Sequence, residues 1–348
     1  MLISILILLF IVLSPLIFSH PQFGGVAKGG RLERIRMSSN FSEEKFKNAE
    51  PTVLMTGGNR LSAIKMLFRR SAEELSPKPG ELHAVKTDLK HLGGDDDLYI
   101  WFGHSSFLLR LGGKIVLVDP VFVKAAPARI LVRPFREADI YKPSDMPERI
   151  DYLLISHDHW DHLDYNTVKA LRHNVGRVVC PLGVGADFKR WGYSEEQIVE
   201  LDWEQTWSDS VLSFTAKETR HFTGRGFWNP KTMPAAWYIK SPLRNIFYTG
   251  DGGWGSRFQR FAGENLDIDL AILENGQYNE AWSQIHTLPK YLGEEVSLLS
   301  PKRFTTVHHS KYCLSTHRWD EPLRNEETAE RESGVPLVRP YIGVPVHL

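Results

Sequence analysis

The residues best suited to chemistry lie in one short run, His157-Asp158-His159-Trp160-Asp161-His162. Two histidines at positions i and i+2 of an extended segment point the same way, so His157 and His159 can reach one metal ion. Asp161 and His162 lie just beyond, where the chain must curl, and can reach a second ion nearby. Imidazole and carboxylate groups suit zinc, with iron or manganese as alternatives. The run therefore predicts a metal site.

Further candidate ligands lie where other predicted strands end. A catalytic zinc ion typically takes three protein ligands and leaves one position for water, so two ions need about six ligands and one that bridges them. The strand ends carry a polar residue at His221, Asp251, Glu274 and His308. Loops on a rigid sheet are a usual placement for site residues. We take His221, Asp251 and His308 as the remaining ligand candidates.

The elements that must position these residues begin near residue 98. Apolar runs bounded by turn residues predict strands, and Gly112-Gly113 predicts a hairpin turn between two of them. The predicted strands are 99–102, 106–109, 114–118, 152–155, 178–180, 198–201, 211–216, 236–239, 246–248, 270–273 and 305–307. The predicted helices are 61–75, 164–171, 187–191 and 289–298. Strands mixed with helices indicate a layered α/β architecture.

The composition is that of an ordinary globular protein. Of 348 residues, 42% are hydrophobic and 24% are charged, which argues against wholesale disorder. Basic and acidic residues number 42 each, so the net charge gives no reason to expect a nucleic acid partner. The two cysteines, Cys180 and Cys313, do not make a disulfide framework, and the sequence leaves open whether they pair.

The N-terminus predicts a membrane anchor or a signal segment. Residues 1–18 are almost entirely apolar, which suits a signal-peptide core and borders on the length of a transmembrane helix. Basic residues follow at Lys28, Arg31, Arg34 and Arg36, and this bias favours a retained anchor with the main domain in the cytoplasm. A cleaved signal peptide ending near Ser19 is the alternative. We expect a membrane-associated protein, or an exported one.

Ser156–Asp164 resembles the HxHxDH signature of the metallo-β-lactamase superfamily. Other segments match, in order, the branch that contains N-acylphosphatidylethanolamine-hydrolysing phospholipase D and its bacterial relatives. They are Phe102–Phe107, Val118–Pro120, Arg220–Gly226, Tyr248–Gly253 and Val307–Ser310. The resemblance covers residues 95 to 325 and implies a four-layer αββα sandwich. We divide the chain into an anchor or signal segment at 1–19, an N-terminal extension at 20–95 and a catalytic domain at 96–348.

Carried over position by position, the resemblance implies a ligand set for two zinc ions. The first ion would be held by His157, His159 and His221. The second would be held by Asp161, His162 and His308, and Asp251 would bridge both. His308 is preferred to His309 because it follows the strand as the family's ligand does. Asp119 would fix a ligand histidine in one tautomer, or it would only end a strand before proline. The choice for His104 is similar: it would support a ligand, or it would have only a local structural role.

Two residues are candidates for contact with the substrate. The segment Gly276–Trp282 with His286 resembles a loop that carries an active-site histidine in the phospholipase, and His286 could donate a proton to the leaving group. That loop usually has arginine just before the tryptophan, where this chain has Ala281, so identical substrate contacts are not implied. Arg225 could bind a phosphate, or remain a solvated loop residue.

The resemblance implies a hydrolase acting on phosphodiesters, such as N-acyl phosphatidylethanolamine lipids. Two close cations lower the pKa of a shared water, so metal-bound hydroxide becomes available near neutral pH, and Asp251 would orient it. The alternative is a lactonase or other carboxylic-ester hydrolase on the same site. A diiron redox protein is disfavoured, because flavin-linked diiron members replace the second motif histidine with glutamate and His159 is histidine. Expected partners are a lipid or small-molecule ester and a membrane surface; the oligomer is left open.

Overall fold

The computed structural model describes residues 14–57, 72–225 and 231–348. Two large sheets dominate these residues. The strands of the first sheet are β3 (Leu98–Trp101), β4 (Phe107–Leu111), β5 (Lys114–Val118), β6 (Ile150–Leu154), β7 (Val175–Pro181), β8 (Ile198–Leu201) and β15 (Pro345–His347). They lie in the spatial order β15-β3-β4-β5-β6-β7-β8. The sheet is antiparallel from β15 to β5 and parallel from β5 to β8.

The second sheet is built from the later part of the chain. Its strands are β9 (Thr206–Ser208), β10 (Ser213–Lys217), β11 (Ala236–Lys240), β12 (Asn245–Tyr248), β13 (Leu270–Glu274) and β14 (Arg303–Val307). Their spatial order is β14-β13-β12-β11-β10-β9, and β12, β13 and β14 run parallel. A separate hairpin joins β1 (Phe41–Ser42) to β2 (Lys45–Phe46) in the N-terminal extension.

The described residues also form helices. They are α1 (Gly29–Met37), α2 (Ala72–Leu75), α3 (Tyr165–Leu171), α4 (Gly185–Arg190), α5 (Arg257–Gly263), α6 (Pro289–Leu299) and α7 (Glu321–Ser333). Short 3₁₀ turns occur at Pro21–Phe23, Leu89–His91, Pro143–Asp145, Glu195–Gln197 and Glu280–Trp282. Only the end of the helix predicted at 61–75 is described, as α2; residues 61–71 lie outside the described residues.

The core follows from the two-residue period of the strands. In β3, Tyr99 and Trp101 join the cluster between the sheets, whereas Leu98 and Ile100 join the cluster on the outer face. The inner cluster also receives Trp237 and other residues of the second sheet, so the sheets pack face to face. The outer clusters contain residues of α3 and α4 on one side and of α5, α6 and α7 on the other. The layer order is αββα, as predicted.

The hairpin turn predicted at Gly112-Gly113 joins β4 to β5. Leu111 pairs with Lys114, and the two glycines between them have φ values of 55° and 75°. Two consecutive residues with positive φ are the requirement of a type I′ turn, which glycine meets without steric cost. The prediction of this turn is confirmed.

The carboxyl ends of five strands carry predicted site residues or, at β13, a polar strand end. Asp119 follows β5, and the histidine run begins three residues after β6. Asp251 follows β12, Glu274 ends β13 and His308 follows β14. Parallel neighbours end at the same edge of a sheet, so this topology brings side chains from distant parts of the sequence together.

No helix within the described ranges is both long enough and apolar enough to cross a membrane. Residues 1–13 of the predicted apolar segment lie outside those ranges. Both cysteines are free, Cys180 in the core and Cys313 at a partly exposed position, so the structure contains no bridge between them.

Candidate metal centre

The first predicted ligand group, His157, His159 and His221, converges on one point. Nε2 of His157 and Nε2 of His221 lie 3.0 and 3.1 Å from Nδ1 of His159. The other ring nitrogens are engaged: Nδ1 of His157 lies 2.9 Å from the hydroxyl of Ser156, and Nδ1 of His221 lies 2.7 Å from the carbonyl of Ile285. A carbonyl can only accept, so His221 donates through Nδ1 and presents the lone pair of Nε2.

The second group, Asp161, His162 and His308, lies beside the first. Oδ2 of Asp161 is 3.8 Å from Nε2 of His162 and 3.4 Å from Nε2 of His308. Nδ1 of His308 lies 3.2 Å from the carbonyl of Gly276, which turns Nε2 towards the group. The structure thus brings these three predicted ligands within reach of one ion.

Asp251 lies between the two groups. Its Oδ2 atom is 3.1 Å from Nε2 of both His162 and His308. The same atom is 3.8 Å from Nε2 of His157 and 3.9 Å from Nε2 of His221. One carboxylate therefore borders ligand atoms of both groups, which is the position that a bridging ligand requires.

The carboxylates of the cluster need compensating positive charge. Four carboxyl groups, Asp119, Asp161, Asp251 and Glu274, surround the histidines, and three of them are almost completely buried. Their ion-pair partners in the described part of the chain are histidines only, with no lysine or arginine within 4.0 Å. Buried carboxylates are costly without compensating charge. Metal ions would supply that charge.

Two enclosed polar atoms fit this interpretation. Nε2 of His162 and Oδ1 of Asp251 are shielded from solvent and form no hydrogen bond with any described residue. Although Nε2 of His162 is 3.1 Å from Oδ2 of Asp251, the geometry does not make a hydrogen bond between them. Buried polar atoms almost always have a partner, so two unpartnered ligand-type atoms in one cluster are the expected arrangement for a metal site. The residues present fit two ions.

The pKa values of the histidines are shifted in opposite directions in the two groups. Burial lowers the pKa of His159 and of His221 to about 3, so both are neutral and have a lone pair for a metal. Burial also opposes charge on His308, but the nearby carboxylates of Asp251 and Asp161 outweigh it and raise the pKa of His308 to about 10. The same carboxylates raise the pKa of His162. A metal cation bound to the second group would take the place of the protons on His162 and His308.

Asp119 supports the second group from behind. Its Oδ2 atom lies 2.9 Å from Nδ1 of His162 and accepts hydrogen bonds from the hydroxyl groups of Tyr248, at 2.7 Å, and Ser156, at 2.5 Å. Its Oδ1 atom accepts from the backbone N–H of Ser156 at 2.8 Å. The carboxylate therefore fixes His162 with Nε2 facing Asp251, which is the contact that the role predicted for Asp119 requires.

His104 contacts the second group directly. Nε2 of His104 lies 2.9 Å from Oδ2 of Asp161, and its ring is 4.3 Å from the ring of His308. This is the position of a residue that orients Asp161. His104 is also close enough to the ligand atoms to bind an ion itself, so the structure is compatible with both roles.

The structure distinguishes His308 from its neighbour His309. The ring nitrogens of His309 lie 2.8 Å from the hydroxyl of Ser310 and 3.0 Å from that of Thr306. Its ring packs against Trp101, 4.9 Å away. His309 is thus fully engaged away from the cluster, and His308 is the residue that faces the other ligands.

His286 borders both groups, and its partner was not predicted. Its ring stacks on His308 at 5.4 Å and lies 5.0 Å from the ring of His221. Nδ1 of His286 is in close contact with Oε1 of Glu274, whose Oε2 atom accepts from the backbone N–H of Gly252 at 2.8 Å. Burial, with the charge of Asp251, raises the pKa of Glu274. The sequence marked Glu274 only as a polar strand end and gave it no role.

Arg225 is a buried residue and not a solvated one. It is 4% exposed, and its guanidinium donates to the carbonyl oxygens of Gln22, Asp158 and Leu163 at 2.9, 2.9 and 2.5 Å. The guanidinium also lies 4.1 Å from the ring of Trp160. These contacts hold the backbone of the histidine run, so the alternative of a solvated loop residue is wrong, and the phosphate contact stays a prediction.

The N-terminal strap, residues 43–57, closes one side of the centre. The side-chain oxygen of Asn48 accepts from the backbone N–H of His221 at 3.0 Å. Arg220 donates to the hydroxyl of Thr52 at 3.0 Å, and the backbone N–H of Thr56 donates to the carbonyl of Ala281 at 2.6 Å. The strap therefore contacts both the segment that carries His221 and the loop that leads to His286.

Comparison with known proteins places this geometry in a family. The family described as the beta-lactamase superfamily domain matches residues 114–309, which include every predicted metal ligand. An uncharacterized protein of Mycobacterium bovis is 31% identical over 321 residues, covering 88% of this chain and 83% of the relative. The N-acyl-phosphatidylethanolamine-hydrolyzing phospholipase D 1 of Caenorhabditis elegans is 24% identical over 277 residues, covering 73% and 76%.

A solved structure shows the same fold. CmlA, a diiron beta-hydroxylase from Streptomyces venezuelae, matches with a TM-score of 0.58 at 20% identity, over 74% of this chain and 55% of that chain. This chain thus spans about half the length of that hydroxylase, and the likeness concerns the fold alone. The shared fold does not identify the ions of this centre. From the family match and the ligand geometry together, the chain belongs to the metallo-β-lactamase superfamily, as a metal-dependent hydrolase with a candidate centre for two ions.

Proposed function

We propose that this protein is a zinc-dependent phosphodiesterase that hydrolyses N-acyl phosphatidylethanolamine-type lipids in the manner of a phospholipase D. The observation that carries the proposal is the position of Asp251, whose Oδ2 atom borders ligand atoms of both metal groups. The similarity to the phospholipase of Caenorhabditis elegans supports the substrate class. The histidine-rich ligand set supports zinc.

When bound, two cations lower the pKa of a water between them and stabilise the negative charge that develops on phosphoryl oxygens. The residues of the chain prepare the site for this chemistry. Asp251 would hold both ions, and its Oδ1 atom, which has no hydrogen-bond partner among the described residues, would orient the attacking water. His159 and Asp161 are partly exposed, so the substrate would enter on their side.

His286 would handle the proton of the leaving group. The oxygen of water would form a bond to phosphorus and release its proton to solvent, while the bond from phosphorus to the leaving alcohol oxygen breaks. His286 would give the proton on Nε2 to that oxygen and take a proton on Nδ1 from Glu274, whose pKa is raised by burial. Glu274 would hold the ring through Nδ1, because Oε1 and Nδ1 are in close contact. This pair lies beside both ligand groups without belonging to the seven predicted ligands.

A hydrolysis panel tests the proposal. Protein stripped with a chelator would be reloaded with zinc, iron or manganese. It would then be assayed with N-acyl phosphatidylethanolamine, bis(4-nitrophenyl) phosphate and an acyl lactone. We expect release of phosphatidic acid and nitrophenol, greatest with zinc, and no turnover by the stripped protein. Hydrolysis of the lactone alone would instead establish the carboxylic-ester hydrolase that is the alternative for this site.

We also propose that the N-terminal segment brings the protein to a membrane, or directs its export. Leu16 and Ile17, at the end of the predicted apolar segment, are 68% and 48% exposed. Flotation with phosphatidylethanolamine vesicles would compare the full chain with a chain lacking residues 1–19. Loss of binding in the shorter chain is expected for an anchor, whereas N-terminal sequencing of the mature protein would reveal a cleaved signal.

A further inference from the structure

A cavity of about 460 Å³ lies between the N-terminal strap and the body of the sandwich. Its volume is within the range of roughly 300–1,000 Å³ that is usual for small-molecule sites. The strap contributes one wall and the sandwich the other. Residues that matter for its chemistry are Lys45, Phe46, Leu54, Trp203, His221 and Phe222.

The cavity adjoins the metal centre through two consecutive residues. His221, a predicted metal ligand, and Phe222 both line the cavity. The ring of Phe222 lies 4.4 Å from the ring of His159 and 4.9 Å from that of His221. Phe222 is 38% exposed, and His159 is also partly exposed. A molecule that reaches the metals on this side therefore has the cavity directly beside it.

The cavity walls combine apolar surface with one available cation. Phe46, Leu54 and Phe222 supply apolar groups from both walls. Lys47 is paired with Glu43 at 2.9 Å, so these two charges largely satisfy each other. Lys45 has no ion-pair partner within 4.0 Å among the described residues, and it is exposed at the rim. The apolar part of these walls suits an apolar chain.

We propose that this cavity binds an apolar chain of the substrate, so that the strap determines which chain lengths are accepted. The inference rests on the proposed phosphodiesterase function and adds a specificity site to it. The phosphate would lie at the metals, and the chain would extend past Phe222 into contact with Phe46 and Leu54. Removal of apolar area from water is the force that would hold the chain there.

Two soluble esters that differ in one chain test the proposal. Methyl 4-nitrophenyl phosphate and octyl 4-nitrophenyl phosphate share the reacting bond, and the ratio of their kcat/KM values isolates the contribution of the chain. Leu54→Trp fills the cavity and Phe46→Ala removes part of its wall. We expect each variant to lower the octyl-to-methyl ratio by about tenfold. Leu243→Ala, at another exposed leucine, is the matched control and should leave both rates unchanged.

A binding measurement makes the test independent of turnover. Isothermal titration of zinc-loaded protein with octylphosphonate and methylphosphonate should show tighter binding of the octyl compound, and Leu54→Trp should abolish that difference. An unchanged ratio and an unchanged binding difference in both strap variants would overturn the cavity proposal while leaving the phosphodiesterase intact. Failure of the wild-type protein to hydrolyse either ester would instead overturn the proposed function, and the cavity proposal with it.

Discussion

The two ligand groups of the metal centre differ in charge and in the residues that support them. The first group consists of three histidines, two of which have a pKa lowered to about 3 by burial. The second contains Asp161, and its histidines have raised pKa values because carboxylates surround them. The first group therefore offers neutral ligands, whereas the second offers negative charge.

The residues that hold the ligand histidines in place also differ between the two groups. In the first group, the hydroxyl of Ser156 and the carbonyl of Ile285 hold the rings of His157 and His221. In the second, the carboxylate of Asp119 holds His162. Neutral partners fix geometry, whereas a charged partner also raises the basicity of the ring it holds. The centre therefore has two unequal halves joined by Asp251.

The largest effect is expected where the halves meet. Asp251→Asn preserves shape but removes a negative charge that both ions would share. We expect bound metal to decrease and the rate of phosphodiester hydrolysis to fall by about 10²-fold or more. Metal analysis and the substrate panel measure the two effects. Asp267→Asn removes an exposed carboxylate and should change neither; near-normal activity of Asp251→Asn on every substrate would exclude the two-metal mechanism.

A smaller effect is expected beside the centre. His286→Ala should reduce kcat by roughly 10²-fold with metal content unchanged, because the ring borders both halves without belonging to either. Glu274→Gln should reduce kcat less, since an amide can still contact Nδ1. Esters with a more acidic leaving alcohol need less help from a proton donor, so they should restore the rate of His286→Ala. Loss of metal in that variant would show that His286 is itself a ligand.

A change at Asp119 should affect the two halves of the metal centre differently. Asp119→Asn should weaken metal binding in the second group by about 10–100-fold, because its carboxylate orients His162. The first group has no contact with Asp119 through its own ring nitrogens and should retain its ion. Stepwise titration with a chelator, followed by metal analysis, would show one weak and one unchanged ion. Equal weakening of both ions would mean that the two halves do not bind independently.

The smallest effect on metal is expected at His309. His309→Gln should keep both ions, because the ring faces Thr306, Ser310 and Trp101 rather than the ligands. The loss of buried hydrogen bonds should lower the free energy of unfolding by about 1–3 kcal/mol, measured by urea denaturation. His308→Gln is the matched variant and should lose one ion. The reverse result would exchange the roles of these neighbours.

Most of the sandwich was predictable because its strands are apolar runs with a clear period. The strand predicted at 198–201 has the same bounds in β8, and the helix predicted at 289–298 ends one residue later in α6. α7 was not predicted, since its sequence is highly polar and only Pro322, Glu326 and Ala329 are buried. β15 was also missed, because three residues at a sheet edge carry little pattern.

The residues that converge on the centre were accessible from the sequence because each follows a strand or lies in a specific motif, and the resemblance supplied their assignment as ligands. The environments of Arg225 and Glu274 were not accessible. No local pattern reveals that a loop arginine is enclosed by carbonyl oxygens, or that Glu274 meets a histidine carried by a later loop. The contacts of the N-terminal strap were equally hidden, because they join residues far apart in the chain.

The attachment of the strap has a consequence for biosynthesis. Asn48 contacts a partner 173 residues later, and Val53 contacts one 231 residues later. The entropy of closing such loops grows slowly with length, but non-local contacts form late in folding. The strap leaves the ribosome early, yet its partners are synthesised only afterwards. The strap must therefore stay undocked until the chain has been made as far as residue 284, so the chamber beside the metals is completed after most of the sandwich strands have been synthesised.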